Sequence, residues 1–527
     1  MNKKRLLCGL LALAMVMPLA ACETKKENSR TKRREVTWFT EIDVGDTAMW
    51  STAEVLKKVV EETGITPKII TGGKEKLNML IASNDMSDLI TFLPTNGTTM
   101  SDLIADNGLY TMEEIDKQFE SGFLNEIPDT VKTKAVYRDD GNLYGRPGMF
   151  VDDKVSPAGS QAFNVRADIY EELGSPDMTT PDGFVNALKA FKEKYPTIGG
   201  KKTIPLDMNM QCWSLYILER SFGITDNFYL DKNDGIVKVK WRNPQYRELV
   251  KFMARLNRED LLDKEMFVKQ SNQVSEDRAT GLVFCAPMAF DGLWDTNAVL
   301  MRSNPNTYFK VIEPLKVVDD PIFTPVAPYS YWTMTSIPKS AKNADTAAEF
   351  LRYMWSPEGN MLMNYGIEGK HYTFNNEGKV VIPEDVANEK TNNSDRFSKE
   401  TGIFTFRLLY RGNLFEFERV SEGEKRDADR KIANKYTKYV DPNLTQNMEP
   451  SKSEPDIQNI KTTMDDIVNA TIHKYVLEPD EDKALAALDA MLAEFDRIGV
   501  GKLEDFRTEQ YKKNLAVFGE YSPQIEE

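Results

Sequence analysis

Apolar runs and helical stripes take turns along this chain. Val36 to Thr40 (VTWFT) is a short β-rich run. Trp50 to Glu62 has helical spacing, and Thr66 to Thr71 (TPKIIT) reads as a second strand. Lys74 to Ser83 (KEKLNMLIAS) sets Leu77, Leu80 and Ile81 on one helical face, and Asp88 to Leu93 (DLITFL) supplies a third strand. Strands alternating with helices predict a parallel α/β sheet. The unit restarts at Ala162, with a strand to Val165, a helix through Leu173, and another helix running through Leu188 and Phe191 to Lys194. Thr180 fits the N-cap of that last helix and Pro181 its first position.

Phe228 to Leu230 and Ile236 to Val239 flank DKNDG (231–235), which predicts a hairpin. The loop is superficially like a calcium loop. Its fifth position is Gly235 and it has no closing glutamate, so a turn is expected. A helix from Asn343-Ala344-Asp345 carries Ala348, Leu351, Tyr353, Met354 and Trp355. Ser356 and Pro357 then cap the next helix, which Gly366 ends. Lys390 to Lys399 is mostly polar and reads as a surface loop. Pro455 through Ala470 and Asp480 to Arg497 read as helices.

The first residues follow a different pattern. Lys3, Lys4 and Arg5 precede an apolar run from Leu6 to Met17, which ends in Leu19-Ala20-Ala21-Cys22. Spanning a bilayer needs roughly 20 apolar residues, so the run is too short to be a transmembrane helix. With Cys22 after two small residues, the segment resembles a bacterial lipoprotein signal, in which the thiol is acylated and becomes the new N-terminus. That resemblance implies export and attachment to the outer face of the cell membrane by a lipid anchor. Glu23 to Arg34 (ETKKENSRTKRR) has no large apolar side chain and reads as a solvated tether. Twelve such residues reach at most about 40 Å, which places the partner in the same membrane.

The length of 527 residues, 41% of them hydrophobic, predicts two or more domains. Removal of Lys3, Lys4 and Arg5 with residues 1–21 takes the net charge from -15 to -18. Nucleic acid is therefore not an expected partner. The two histidines, His371 and His473, form no HExxH site, and there is no CxxC pair. No GxSxG elbow, P-loop or GxGxxG fingerprint is present. No metal, no cofactor and no catalytic residue is assigned. Cys212 and Cys285 either pair in an oxidising exterior or stay as buried thiols.

Several segments carry a resemblance. They are KLNMLIASNDMSDLITF (76–92), LYGRPG (143–148), FNVRADIYEELGSPDMTTPDGF (163–184), SIPKSAKNADTAAEFLRYMWSPEGNMLMNYGIEGKHYTF (336–374) and the closing FDRIGVGKLEDFRTEQYKKNLA. In order and spacing the chain resembles the family 1 extracellular solute-binding proteins of ABC transporters, in the branch of LipO-like lipoproteins of Gram-positive bacteria. The resemblance implies an α/β, two-lobe fold of the periplasmic-binding-protein type, with ligand in the cleft between lobes. It places a signal peptide at 1–21, the lipidated cysteine and tether at 22–34, and the first lobe at 35–160 and 330–390. The second lobe takes 161–329, and 391–527 forms a mainly helical part, mostly of that lobe. Crossings are expected near 158–163 and 328–334, and a third near 380–405. Some relatives hold a structural calcium; the loop from Gly174 to Asp182 has too few oxygen ligands for one.

Two rigid lobes closing by hinge bending would present a loaded form to the ABC permease. The body is expected to be a monomer. A sugar site needs aromatic faces and polar side chains. Phe39, Glu41 and Asp43 lie at or after the first strand, and Thr95 and Asn96 after the third, where open α/β sheets bind ligands. The resemblance adds Trp213, Asp291, Trp294, Tyr331 and Trp332 as ligand-binding positions. Trp38, Trp50 and Trp355 read as core, Trp241 as surface packing, and His371 as a structural hydrogen-bonding group. Arg146, Arg166 and Arg407 are the bases on offer if the cargo is a uronic acid. An oligosaccharide is the expected cargo. The alternatives are a peptide or other small polar solute, or a membrane-anchored glycoside hydrolase, which needs two carboxylates about 5–9.5 Å apart.

Replacing Cys22 with alanine should release the chain from the membrane fraction, leave ligand binding intact and impair uptake. Unimpaired uptake by cells carrying the variant would break the link between anchor and delivery.

Overall fold

Val36, Trp38 and Phe39 are all buried, so both faces of the first strand are covered. In the computed structural model, described for residues 34–93, 102–104, 106–137, 140–151, 159–208, 214–302, 304–403, 424–446, 448–450 and 453–521, the covering layers can be followed. Cys22 with its signal, Thr95, Asn96, Arg407, Cys212 and Trp213 lie outside the described residues.

In chain order the strands of the two main sheets and of their connection are β1 (Arg34–Thr40), β2 (Ile65–Thr71), β3 (Leu89–Phe92), β4 (Arg146–Gly148), β5 (Gln161–Arg166), β6 (Ile204–Leu206), β7 (Val283–Ala289), β8 (Phe309–Ile312), β9 (Thr324–Val326), β10 (Thr333–Ser336) and β11 (Thr437–Tyr439). The first sheet has the order β2-β1-β3-β10-β4 and the second β8-β5-β7-β6. Parallel pairing, as expected, joins β1 to β2 and β3. β10 is antiparallel to both β3 and β4, because it enters from the other lobe without a crossover helix. In the second sheet β5 is antiparallel to β7 and β8, and only β7 and β6 are parallel.

One face of the first sheet packs Val36 and Trp38 against Trp50, Leu56, Phe350 and Trp355. The other packs Phe39, Ile90 and Met334 against Leu77 and Leu109. The second lobe gathers Phe163, Phe184, Phe284 and the C-terminal Leu488, Phe495 and Leu503 into one core. Trp241 belongs to that core, edge-on to Phe495, and is not surface packing. Helices Pro455–Val476, Glu481–Ile498 and Val500–Phe518 close the second lobe.

Two local expectations change. The predicted helix over 50–62 is broken at Ala53, whose ψ of 139° separates Met49–Thr52 from Glu54–Thr63. The polar stretch 390–399 is helical, within Glu384–Asn392 and Ser394–Thr401. Its single large apolar residue, Phe397, is buried in the first lobe's core and holds the segment there, with Ile403 beside it. Helix Glu424–Lys435 packs on β8, while residues 404–423 lie outside the described residues.

The crossings are tied to one another. Tyr329 N donates to Val151 O at 2.7 Å, Val151 N to Ser330 O at 2.9 Å, and Trp332 N to Gly148 O at 3.0 Å. Further along, β9 pairs in parallel with β11, and Val440 N reaches Val326 O at 2.9 Å. The middle crossing thus bonds first to one neighbour and then to the other. Gly159 threads a tight gap here: a Cβ on it would lie 2.0 Å from Thr437 Oγ1.

Asp88 pins the first lobe. Its carboxylate accepts from Thr37 N at 2.9 Å, Thr37 Oγ1 at 2.8 Å and Asn343 N at 2.8 Å, joining β1, the start of β3 and helix Ala344–Trp355. Burial pushes its pKa up, but the hydrogen bonds from Thr37 and Asn343 outweigh it and hold the pKa below the ordinary aspartate value. A depressed folded pKa gives stability that is present above the unfolded value and lost as the pH falls through the folded one. Asp88→Ala should cost about 2 kcal/mol at neutral pH. In denaturant titrations at pH 7 and pH 3, the gap from wild type should shrink in acid.

Candidate functional site

Strand polarity decides which residues meet. β1 and β3 run in parallel, so Thr40 and Phe92 end on the same edge of the first sheet. β10 runs the other way, so the residues just before it, Tyr331 and Trp332, arrive at that edge too. Glu41 fastens the corner: its N–H donates to Thr91 O at 2.9 Å, and its Oε2 accepts from Leu93 N at 2.9 Å. Asp43 is exposed, and its Oδ1 accepts from Gly45 N at 2.9 Å, closing its own turn. Trp332 is 40% exposed, unusual for so large an apolar side chain. Tyr331 is half-buried between the two cores of the lobe, and desolvation pushes its phenol up to about 12.

In the second lobe β5 starts and β7 ends beside the crossings, since Gln161 pairs with Ala289 and Phe290 N donates to Ser160 O at 2.8 Å. Asp291 and Trp294 follow β7 at that edge, Trp294 as the first residue of helix Trp294–Met301. Helix Glu384–Asn392 lies against this helix. The structure therefore brings Glu41, Asp43, Tyr331 and Trp332 to one edge, and Asp291 and the backbone of Trp294 to the edge beyond the crossings.

Some placements differ from the sequence reading. Phe39 is fully buried among Ile90, Phe92 and Met334, because the sheet is covered on both faces; it offers no surface to a ligand. Asp291 is not a free acceptor. Its Oδ1 accepts from Arg426 Nη2 at 2.9 Å, with Arg430 Nη2 at 3.7 Å. The sequence reading missed both arginines. Their signal was an i, i+4 spacing on the charged helix Glu424–Lys435, which carries no aromatic mark. The other proposed bases are structural: Arg146 is buried under Trp355 at 4.7 Å, and Arg166 donates to Asp168 and to Gly281 O. His371 is buried, its Nδ1 accepts from Ile367 N at 3.0 Å, and burial lowers its pKa.

Cys285 is buried in the second lobe, and burial pushes its thiol up. In the 231–235 turn, Lys238 Nζ sits between the carboxylates of Asp231 and Asp234, which serves as the turn's own cation. A cavity of about 480 Å³, lined by Lys58, Glu62, Met361 and Phe374, opens on the flank of the first lobe. It lies toward the start of β1, where Arg34 N meets Gly64 O, and not at the edge that gathers Glu41 and Trp332.

A two-lobed body with its polar and aromatic groups at the strand ends beside paired crossings has counterparts. Residues 50–361 match the model of the bacterial extracellular solute-binding protein family. The chain belongs to that family. The fructooligosaccharide ABC transporter substrate-binding protein FusA of Streptococcus pneumoniae is 27% identical to this solute-binding protein over 264 residues, 46% of this chain and 47% of that one. The chain thus spans about half the length of the curated relatives it matches. The structure of FusA in complex with kestose superimposes with a TM-score of 0.67 at 18% identity, covering 92% of this chain and 100% of that one. An HMO-binding solute-binding protein from Bifidobacterium longum infantis gives 0.66 at 16%, covering 92% and 99%. These likenesses establish the two-lobe fold.

Phe39→Ala should cost about 3–5 kcal/mol, as for other buried phenylalanines. The loss should appear as a lower Tm before any ligand is added. An unchanged Tm would return Phe39 to the cleft.

Proposed function

We propose that this chain is the membrane-anchored, outward-facing binding component of an ABC importer, and that it captures an oligosaccharide between its lobes for delivery to a permease. The observation that carries the reading is Trp332, an exposed indole at the edge where Glu41 and Tyr331 also arrive, immediately beside the crossing strands. A sugar's C–H face stacks on such a ring, and neighbouring polar groups take its hydroxyls. The ligands of similar proteins, fructooligosaccharide and kestose, support the sugar class. The lipid anchor rests on Leu19 to Cys22 and the basic segment before it.

Binding without turnover fits the acids at this edge. Glu41 accepts from Leu93 N after β3 and Asp43 from Gly45 N in its own turn, and Asp291 on the facing edge is paired with Arg426. A glycosidase needs one carboxyl group as acid and a second as nucleophile or base. Ligand shifts the equilibrium between lobe arrangements only by binding one of them better, which requires contacts to both lobes at once.

The test is a thermal-shift panel of kestose, nystose, other neutral oligosaccharides, uronate oligomers and short peptides. A cognate sugar at 100 times its Kd should add about 2.7 kcal/mol of stability and raise the Tm measurably. Trp332→Ala should weaken binding of that sugar about tenfold with little change in the ligand-free Tm. A response to peptides alone removes the sugar assignment, and release of free sugar during the assay removes the carrier reading.

A further inference from the structure

The last helix, Val500–Phe518, is rooted in the second lobe and ends in the first. Val500 and Leu503 are buried in the second lobe's core. Along the helix, Glu504 Oε1 accepts from Val239 N at 3.0 Å, Thr508 Oγ1 accepts from Val237 N at 2.9 Å, and Arg507 Nη2 donates to Glu449 at 2.8 Å. Asn514 Nδ2 donates to Asn443 O at 3.1 Å, and Asn443 Nδ2 to Gly519 O at 3.0 Å. These bonds make the helix one piece with the second lobe up to its final turn.

That final turn meets the first lobe. Lys134, at the end of helix Asp129–Lys134, donates from Nζ to Val517 O at 2.8 Å. Phe518 stacks on Tyr329 with ring centroids 5.5 Å apart and planes 17° apart. The Lys134 ammonium lies 5.5 Å from the Tyr329 ring centroid and 5.4 Å from that of Phe518. Tyr329 is no ordinary partner. It sits in the middle crossing with φ of +65°, and across the paired crossing Met149 has φ of +58°. Left-handed backbone is costly for residues with side chains and persists where surroundings enforce it. A cation beside the two stacked rings, bonded to a helix C-terminus, supplies such surroundings, since the ammonium also complements the helix dipole.

We propose that Lys134, Tyr329 and Phe518 form an interlobe clasp that sets the resting equilibrium between lobe arrangements. The inference rests on the two-lobe binding reading above, but it concerns the ligand-free chain. The clasp holds Tyr329 in its left-handed conformation and so holds the lobes at their present separation. Loosening it frees the middle crossing to bend and populates the alternative arrangement without ligand. The effect on that ratio should be roughly two- to tenfold for the loss of one aromatic stack.

Pulsed electron-spin distance measurements test this. Nitroxides on Lys117→Cys in the first lobe and Asn186→Cys in the second report the separation, in a full chain with Cys8, Cys22 and Cys212 changed to serine. Phe518→Ala and Lys134→Met should each move part of the ligand-free distribution to a second distance, with Phe518→Leu intermediate. Distributions that superimpose on the unsubstituted chain, whatever the change in Tm, overturn the clasp. The two readings fail separately. A shifted distribution in a chain that binds no sugar keeps the clasp and removes the sugar assignment. Kestose or nystose binding with no shift in either variant does the reverse.

Discussion

The molecule depends on one returning strand. β10 lies between β3 and β4 and bonds to both, yet it follows the whole first stretch of the second lobe in sequence. The first sheet cannot close until the chain has built most of the other lobe and come back. A buried relay seals the insertion: Trp38 Nε1 donates to Thr91 Oγ1 at 2.8 Å, and Thr91 Oγ1 lies 2.7 Å from Thr335 Oγ1. Three strands from two distant segments are thereby fixed in register by side chains that water does not reach.

From that constraint follow the crossings, and from the crossings the site. A chain that leaves and returns must pass between the lobes side by side with itself. The outgoing and returning segments pair through Tyr329, Ser330 and Val151 on the first lobe's side, while on the other side the returning segment's β9 pairs with β11 from much later in the chain. Trp332 is exposed where it is because it is the last residue of the crossing before the buried β10 begins. On the opposite edge, Asp291 is neutralised by a guanidinium from a helix more than a hundred residues later in the chain. The electrostatic character of that edge therefore belongs to two segments jointly, and neither reveals it alone.

Local signals in the sequence were good guides to elements. The Thr180-Pro181 and Ser356-Pro357 starts are N-caps in the structure, with Gly183 N and Gly359 N bonded to the hydroxyls. The 231–235 hairpin and the helix end at Gly366 are likewise in place. What the pattern could not convey was context. Phe39 and Trp332 are both aromatic residues near strand ends, but one is sealed by Leu77, Ile90 and Met334 and the other is not. The 390–399 stretch looked like a loop because one buried phenylalanine among polar residues carries almost no periodic signal. Arg426 could not be read as a site residue without knowing that its helix packs beside Asp291.

β1 has a direction as well as a place. It starts at Arg34, whose guanidinium pairs with Glu349 at 2.7 Å, and seven residues later it delivers Glu41 to the edge that also receives Trp332. A strand of that length spans about 20 Å. With the proposed mooring at Cys22, the line to the membrane attaches to the first lobe at the end of its sheet remote from the mouth. On the proposed anchor, the lobe carrying Trp332 is the one tied to the membrane, and the lobe carrying Asp291 is joined to that line only through the crossings.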